Sequence, residues 1–462
     1  MSGFKITRTR IFGLAFLVIA AILGWLLLPG SYTTVEGDTA SGLASRFRVP
    51  VDVFQNANAI TDRFANLTPG TPLTVPSVIY PDAKTVINFG TGQQAITFTV
   101  NTLVWVAVVI VLYTATGVLA LLDRWHQVAY WMLIVSGVLL IPTVLIAAAV
   151  GQQTNLLTML VESMRLATPI AIGAAAGIWA ERSGVVNIAI EGMMLNGAAI
   201  GFVMFTLLVP FLPNTNLALI TGVMGAIAGG ALMALLHAWL SITYKTDQIV
   251  SGTVINILAI GVSSFLRREI LLSTESGRIT LPTLRIPLLA DIPIIGDVFF
   301  QNRPIFYSMF VILIVTHIIL YYTPFGLRLR SVGENPEAAD TVGINVTRMR
   351  YLAVLISGAI AGLGGAWFSL ETVGGFDDQM TGGRGFIALA AVIFGNWNPA
   401  GAFAGALLFG FADALAIRFQ ILQVPVPPQW LQMLPFITTM VVLAGLIGRT
   451  RPPAAVGKPY EK

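Results

Sequence analysis

Residues 326–351 read GLRLRSVGENPEAADTVGINVTRMRY, a hydrophilic run set between two strongly apolar segments, and its reading decides what the rest of the chain is. Arg328, Arg330, Arg348 and Arg350 flank it. A short loop this rich in arginine belongs on the cytoplasmic side of a membrane. Inside it, Asn335 predicts a helix N-cap, Pro336 suits the first helical position, and Glu337 and Asp340 follow near the positive end of the helix dipole. Gly343 predicts a stop. The pattern gives a small amphipathic helix held between two spans on the cytoplasmic face. Such an element conducts nothing. It is suited to contacting another protein.

The composition around it fits that reading. The chain has 462 residues, of which 56% are hydrophobic and 10% charged, and it carries no cysteine. Several apolar runs reach the roughly 20 residues that cross a bilayer, which predicts an all-α polytopic membrane fold of about twelve spans immersed in membrane lipid. The net charge of +4 is no nucleic-acid signal, because the basic residues fall in loops between apolar runs. Of 26 Lys and Arg, 14 fall in predicted cytoplasmic segments, seven in or beside short outer segments, four within 29–96 and one, Arg165, within a span. That bias agrees with the positive-inside rule and places both termini in the cytoplasm. Without cysteine, disulfides and thiolate metal sites are excluded. His126, His237 and His317 show no metal-ligand spacing. There is no GxxxxGK[ST] either, so no ATP cofactor is bound here through a P-loop, and any ATPase acting with this chain is a separate one.

The run GLRLRSVGENPEAADTVGINVTRMRYLAVLISGAIAGLGGA resembles the cytoplasmic coupling loop, and the span after it, of ABC-importer permeases of the simple-sugar/nucleoside and branched-chain amino acid class. The resemblance implies that Glu334, Asn335, Pro336, Glu337, Asp340 and Gly343 dock on an ABC ATPase subunit. A second stretch, GIWAERSGVVNIAIEGMMLNGAAIGF at 177–202, is similar to the (S)ERSGVVNIGLEGMML signature of the nucleoside/simple-sugar branch, with Ala180 in place of the Ser and Ala189 in place of the Gly as mild departures. A third, DQIVSGTVINILA, resembles that branch's HQIISGTALNLLA span. Permeases of this class pair with a second permease chain and receive substrate from an extracytoplasmic substrate-binding lipoprotein, which residues 270–302 would face.

Ahead of the core, Lys5, Arg8 and Arg10 precede the apolar run 11–28, which reads as a signal anchor over 1–30, with Pro29-Gly30-Ser31 a weak cleavage signal. Residues 31–80 change character. Residues 32–35 alternate like a strand, Gly37-Asp38-Thr39 turns into a helix that Thr39 can cap, Pro50 opens a second helix ended by Asn56 and Asn58, and Pro69-Gly70 turns into a closing strand. This β-α-α-β order resembles a LysM domain, a small α+β unit. The resemblance implies binding of N-acetylglucosamine-containing glycans such as peptidoglycan, with Gly37, Asp38, Thr39, Asn56 and Asn58 as candidate contacts. Residues 81–96 read as a linker and 95–122 as the span that returns across the membrane, so that 81–127 form one connecting unit before a permease core at 128–450 and a cytoplasmic tail at 451–462.

Within the core, Glu162 and Arg165 are spaced to pair on one helix face or to sit in an interfacial first turn. Gly173 and Gly177, Gly225 and Gly229, and Gly358 and Gly362 are close-packing pairs. Gly184 breaks a helix, and Asn187 and Glu191 read as i, i+4 on one face of the next span. They line or brace a translocation pathway, alongside Thr253 and Asn256, whose polar side chains equally suit helix–helix hydrogen bonding. Met193 and Met194 read as packing. Residues 371–385 read as an outer loop, 385–396 as a short or broken helix of the kind transporters use to place backbone groups at depth, and 430–447 as a last span. The loop 324–350 is the coupling element.

These readings converge on the permease subunit of an importer for nucleosides or simple sugars. Two others stay open: a branched-chain amino acid permease, and a peptidoglycan-binding membrane anchor whose permease core is inactive.

Overall fold

The computed structural model describes residues 8–47, 49–80, 82–90, 96–122, 125–272, 278–422, 424, 433 and 451–461. The chain divides into two compact units, 1–156 with 419–425, and 157–418 with 426–462. Among the described residues nine helices are long and apolar enough to cross a membrane, and two shorter apolar helices accompany them. The span expected at 430–447 lies outside the described residues.

In the first unit, α1 (Arg8–Trp25) leads into β1 (Gly30–Thr33), α2 (Ala40–Phe47), α3 (Val51–Asn58) and β2 (Pro72–Val75). The strands pair antiparallel, with Tyr32 opposite Leu73. Alternation decides which side chains go inward: Leu73 joins Ala40, Leu43, Ala44 and Phe54 in a small buried core. The Thr39 hydroxyl accepts the Gly42 N–H at 3.1 Å and so starts α2, as its spacing predicts.

The sequence makes 81–96 a linker, but β3 (Lys84–Phe89) pairs antiparallel with β4 (Ile96–Asn101) and parallel with β5 (Gln153–Asn155). The run TVINF has the β-branched and aromatic content of a strand, and the strand displaces the expected start of the next span. That helix, α4 (Thr102–Leu122), begins at 102 rather than 95 and precedes α5 (His126–Ala148). Phe16 of α1 meets Tyr113 of α4 with ring centroids 5.0 Å apart.

The second unit holds α6 (Leu156–Glu181), α7 (Ile190–Leu208), α8 (Thr215–Ala238), α9 (Gln248–Leu266), the pair β6 (Leu284–Arg285) and β7 (Gln301–Asn302) around α10 (Ile295–Phe299), α11 (Pro304–Tyr322), α12 (Pro324–Glu334), α13 (Pro336–Thr341), α14 (Val346–Ala366), α15 (Arg384–Phe394) and α16 (Pro399–Ile421). Its centre is a contact of α7, α8 and α14 made by small residues. A Cβ on Gly230 would collide with the Gly358 carbonyl, one on Gly362 with the Ala226 carbonyl and one on Gly365 with the Met194 carbonyl. Lipid gives apolar side chains no reason to leave it, so close backbone approach of this kind carries much of the packing between spans. Gly225 and Gly229 lie instead against Met204 and Ile200, and Gly173 and Gly177 against Ala388 and Val392 of α15. Met193 and Met194 are buried in the core, as packing residues.

Candidate functional site

Two helices of the second unit begin inside the bundle. The chain leaves α6, turns at Gly184 with φ of +90°, and runs non-helically through 185–189 before α7 starts at Ile190. On the other side, α14 continues as a π-helical stretch, Trp367–Val373, and α15 follows with only 11 residues. Eleven helical residues rise about 16 Å, roughly half of a hydrocarbon core. A short helix of this kind leaves backbone N–H groups that lipid cannot satisfy, so the protein must supply acceptors.

Glu191 supplies them. Its carboxylate accepts the Thr381 hydroxyl at 2.6 Å and the N–H groups of Gly383 at 2.8 Å and Gly385 at 2.6 Å. One carboxylate of α7 therefore caps the first turn of α15 from outside that helix. Gly385 is a glycine because a Cβ there would lie 2.5 Å from the Glu191 backbone nitrogen. Arg384 of the same turn pairs with Asp413 of α16 at 3.0 Å.

The stretch 185–189 is served from α8 and α9. Gln248 accepts the Val186 N–H at 2.7 Å, and the His237 ring lies 3.0 Å from the Val186 carbonyl and 3.0 Å from Ser251. Asn256 accepts the Gly192 N–H at 2.7 Å and donates to the Ile188 carbonyl at 3.0 Å. Asn187 donates to the Ser357 hydroxyl at 2.9 Å, and its own side-chain oxygen is buried without a hydrogen-bond partner among the described residues.

The four expected pathway residues thus separate. Asn256 and Glu191 each stitch a helix start, and Asn187 lies in the non-helical stretch before α7, so it does not share a helix face with Glu191. The sequence period could not reveal that VVNIA runs non-helically, because the side chains that hold Val186, Asn187 and Ile188 from other helices are 51 to 170 residues away. Thr253 points out of the bundle and donates back to the Ile249 carbonyl of its own helix at 2.9 Å. Residues 371–385 are no free outer loop. Glu371 is buried and caps α11 by accepting the Ile305 and Phe306 N–H groups at 2.6 and 3.2 Å, while Phe376 and Thr381 are buried too. His237, Ser357 and Thr381 were not singled out by sequence. A histidine within an apolar span is the one local signal that was available, since a ring placed there needs partners. Glu162 and Arg165 pair at 3.4 Å on one helix, both half-exposed.

The second candidate element is α12–α13. Thr323 caps α12, and the Asn335 side chain accepts the Ala338 N–H at 3.0 Å to start α13, with Pro336 in its first turn. Gly343, with φ of +82°, lies just beyond its end. Glu334, Glu337 and Asn335 lie at or near the surface, and Asp340 and Gly343 line a cleft of about 930 Å³ with Asn345, Arg348, Tyr351 and Tyr460. Arg350 differs from the other flanking arginines, being 2% exposed. In the small β-α-α-β unit, Asp38 accepts the Val35 N–H at 2.7 Å and the Tyr32 hydroxyl at 3.0 Å, which pushes the Tyr32 phenol above its ordinary pKa. Asn58 bonds to Phe54 and to both backbone groups of Thr74, Gly37 forms the turn, and Asn56 is exposed.

A bundle of long apolar helices, in which α7 and the short α15 start inside on side-chain caps, together with a capped, exposed helix pair, is the architecture of a multi-pass membrane permease. The chain belongs to the family described as "Branched-chain amino acid transport system / permease component", whose model matches residues 159–443, and the LysM domain model matches residues 32–76. It is similar to the guanosine ABC transporter permease protein NupQ of Bacillus subtilis (strain 168), 42% identical over 311 residues that cover 64% of this chain and 94% of that protein. It is also similar to the nucleoside ABC transporter permease protein NupC of Lactococcus lactis subsp. cremoris (strain MG1363), 39% identical over 319 residues covering 67% and 98%. The guanosine ABC transporter permease protein NupP of the same Bacillus is 29% identical over 268 residues covering 56% and 74%. No solved structure matches the chain.

Proposed function

We propose that this chain is the permease subunit of an ABC importer for nucleosides or simple sugars, with guanosine-like nucleosides as the first substrates to test. The observation that carries the reading is the 42% identity to a guanosine permease over nearly that protein's whole length. An ABC ATPase subunit works beside it, docked on Glu334, Asn335, Pro336, Glu337, Asp340 and Gly343. Both termini face the cytoplasm. No bond of the substrate is broken by this chain. Hydrolysis in the partner displaces α12–α13, and the interrupted helices that meet at Glu191 open toward one side and then the other. Asn187, whose buried side-chain oxygen has no hydrogen-bond partner among the described residues, is free to exchange hydrogen bonds during that change.

Two permeases of one Bacillus, both named for guanosine, resemble this chain to different degrees, 42% and 29%. That supports a heterodimer with a second, related permease chain, fed by an extracytoplasmic binding lipoprotein. The LysM match supports a second role, contact of residues 32–76 with peptidoglycan.

The test is uptake of labelled guanosine by cells with and without this chain, competed with excess ribose or leucine. Loss of guanosine uptake that leucine does not compete supports the nucleoside reading. Unchanged guanosine uptake with lost leucine uptake overturns it in favour of an amino acid permease. The double substitution Glu337→Arg/Asp340→Arg is expected to abolish uptake while leaving the chain in the membrane; surviving uptake sinks the docking role.

A further inference from the structure

Residues 451–461 lie across the seam between the coupling helices and the turn at Gly184. The Ala455 N–H donates to the Gly333 carbonyl at 2.9 Å, at the end of α12, and the Ala454 N–H to the Glu334 carboxylate at 3.2 Å. The Gly457 N–H donates to the Gly184 carbonyl at 3.2 Å. Arg451 donates its N–H to the Asn396 side chain at 2.9 Å, just before α16. Lys245 pairs with Glu461 at 3.3 Å, and Tyr460 is hydrogen-bonded to Asp340 of α13. Burial first, and that bond second, push the Tyr460 phenol up.

Beneath this segment sits Arg350. It donates to the Lys458 carbonyl at 3.0 Å, while its Nε and Nη2 are buried without a hydrogen-bond partner among the described residues. A guanidinium this buried is costly unless the site holds it for a reason. The packing is close on every side. A Cβ on Gly184 would lie 3.0 Å from Arg350 Nη2 and 3.3 Å from the Ala455 carbonyl oxygen, and one on Gly333 would collide with the Arg182 carbonyl. The segment thus holds the end of α12, the side chain of α13 and the turn leading to Asn187 in one hydrogen-bonded unit.

We propose that residues 451–461, seated on Arg350, form a clasp that transmits displacement of α12–α13 to the 182–189 turn, and so positions the interrupted start of α7. The proposal rests on the permease reading above. Coupling between sites needs a physical element that both bias, and this segment touches both.

The test keeps the whole transporter in its native membrane and deletes residues 451–462. The expected result is a permease that accumulates normally and still retains the ATPase subunit on purification. Labelled guanosine uptake falls by about tenfold or more, the size of a typical coupling between sites, and ATP hydrolysis continues but no longer responds to guanosine. Uptake within about twofold of the intact chain, below the range of a coupling residue, overturns the clasp. So does loss of the ATPase together with uptake, which would make the segment a docking surface. If the deleted chain fails to accumulate, Ala455→Pro, which removes the N–H given to Gly333 and stiffens the backbone around it, is measured for the same outcomes. Uptake that is equal with and without the intact chain is a failure of the permease reading, and that comparison is made separately.

Discussion

Glu191 and Asp38 are both acceptors that hold a turn together, yet they do so over different distances in the chain. Asp38 bonds Val35 and Tyr32, three and six residues away, in a small half-exposed unit. Glu191 bonds Thr381, Gly383 and Gly385, 190 to 194 residues away, within a bundle of apolar spans. Water can replace the bonds of Asp38 when they open. Those of Glu191 are part-buried among apolar spans, where water replaces them less readily. The same side-chain chemistry is therefore a modest turn stabiliser in one region and a condition for the fold in the other.

The largest expected effect follows directly. Glu191→Ala strands one hydroxyl and two backbone N–H groups, all part-buried, and a stranded buried donor costs about 1–3 kcal/mol. We expect a destabilisation of about 3 kcal/mol or more, seen as lower thermal resistance in detergent, with guanosine uptake lost. Wild-type resistance in this variant would mean that α15 finds its caps elsewhere. Next comes Gly385→Ala, which keeps the carboxylate but forces a Cβ toward the Glu191 backbone 2.5 Å away. An overpacked contact costs about 1–3 kcal/mol, so this variant should fall between Glu191→Ala and the intact chain. If it is as damaging as Glu191→Ala, close approach rather than hydrogen bonding holds the two half-helices.

The distance over which a contact is made also decides what could be read from sequence. Asn335, Pro336 and Gly343 mark a helix start and stop within nine residues, and the structure has a short helix there. The β-α-α-β unit was legible for the same reason, through Thr39, Pro50 and Pro69-Gly70. The partner of β3 beyond its hairpin, β5, lies more than 60 residues on, and nothing in TVINF announces it. Asn187 reads as helical because only His237, Gln248 and Asn256, brought in from α8 and α9, hold its neighbours in a non-helical run. Arg350 reads as one more cytoplasmic arginine, since its partner Lys458 is 108 residues away. Charge in a loop says nothing of burial.

On the exposed side of the comparison, Asp38→Ala removes two local bonds that water can substitute. Bonds of this kind contribute about 0.5–1.5 kcal/mol each, so the β-α-α-β unit should lose about 1–2 kcal/mol, read as faster proteolysis within 31–80, with guanosine uptake unaffected. A loss of uptake from this change would couple the β-α-α-β unit to transport.

The smallest effect separates glycan contact from folding within that unit. Asn58 is consumed by Phe54 and Thr74, whereas Asn56 is exposed on the same helix. Asn58→Ala should therefore act through stability, by about 1 kcal/mol. Asn56→Ala should leave proteolysis unchanged, within the roughly 0.5 kcal/mol typical of surface substitutions. If residues 32–76 hold peptidoglycan, Asn56→Ala in the full-length chain should still reduce retention of membranes on purified wall fragments. Equal retention by both variants and the intact chain would remove these asparagines from the glycan contact and leave them with a part in the fold alone, as Asp38 has.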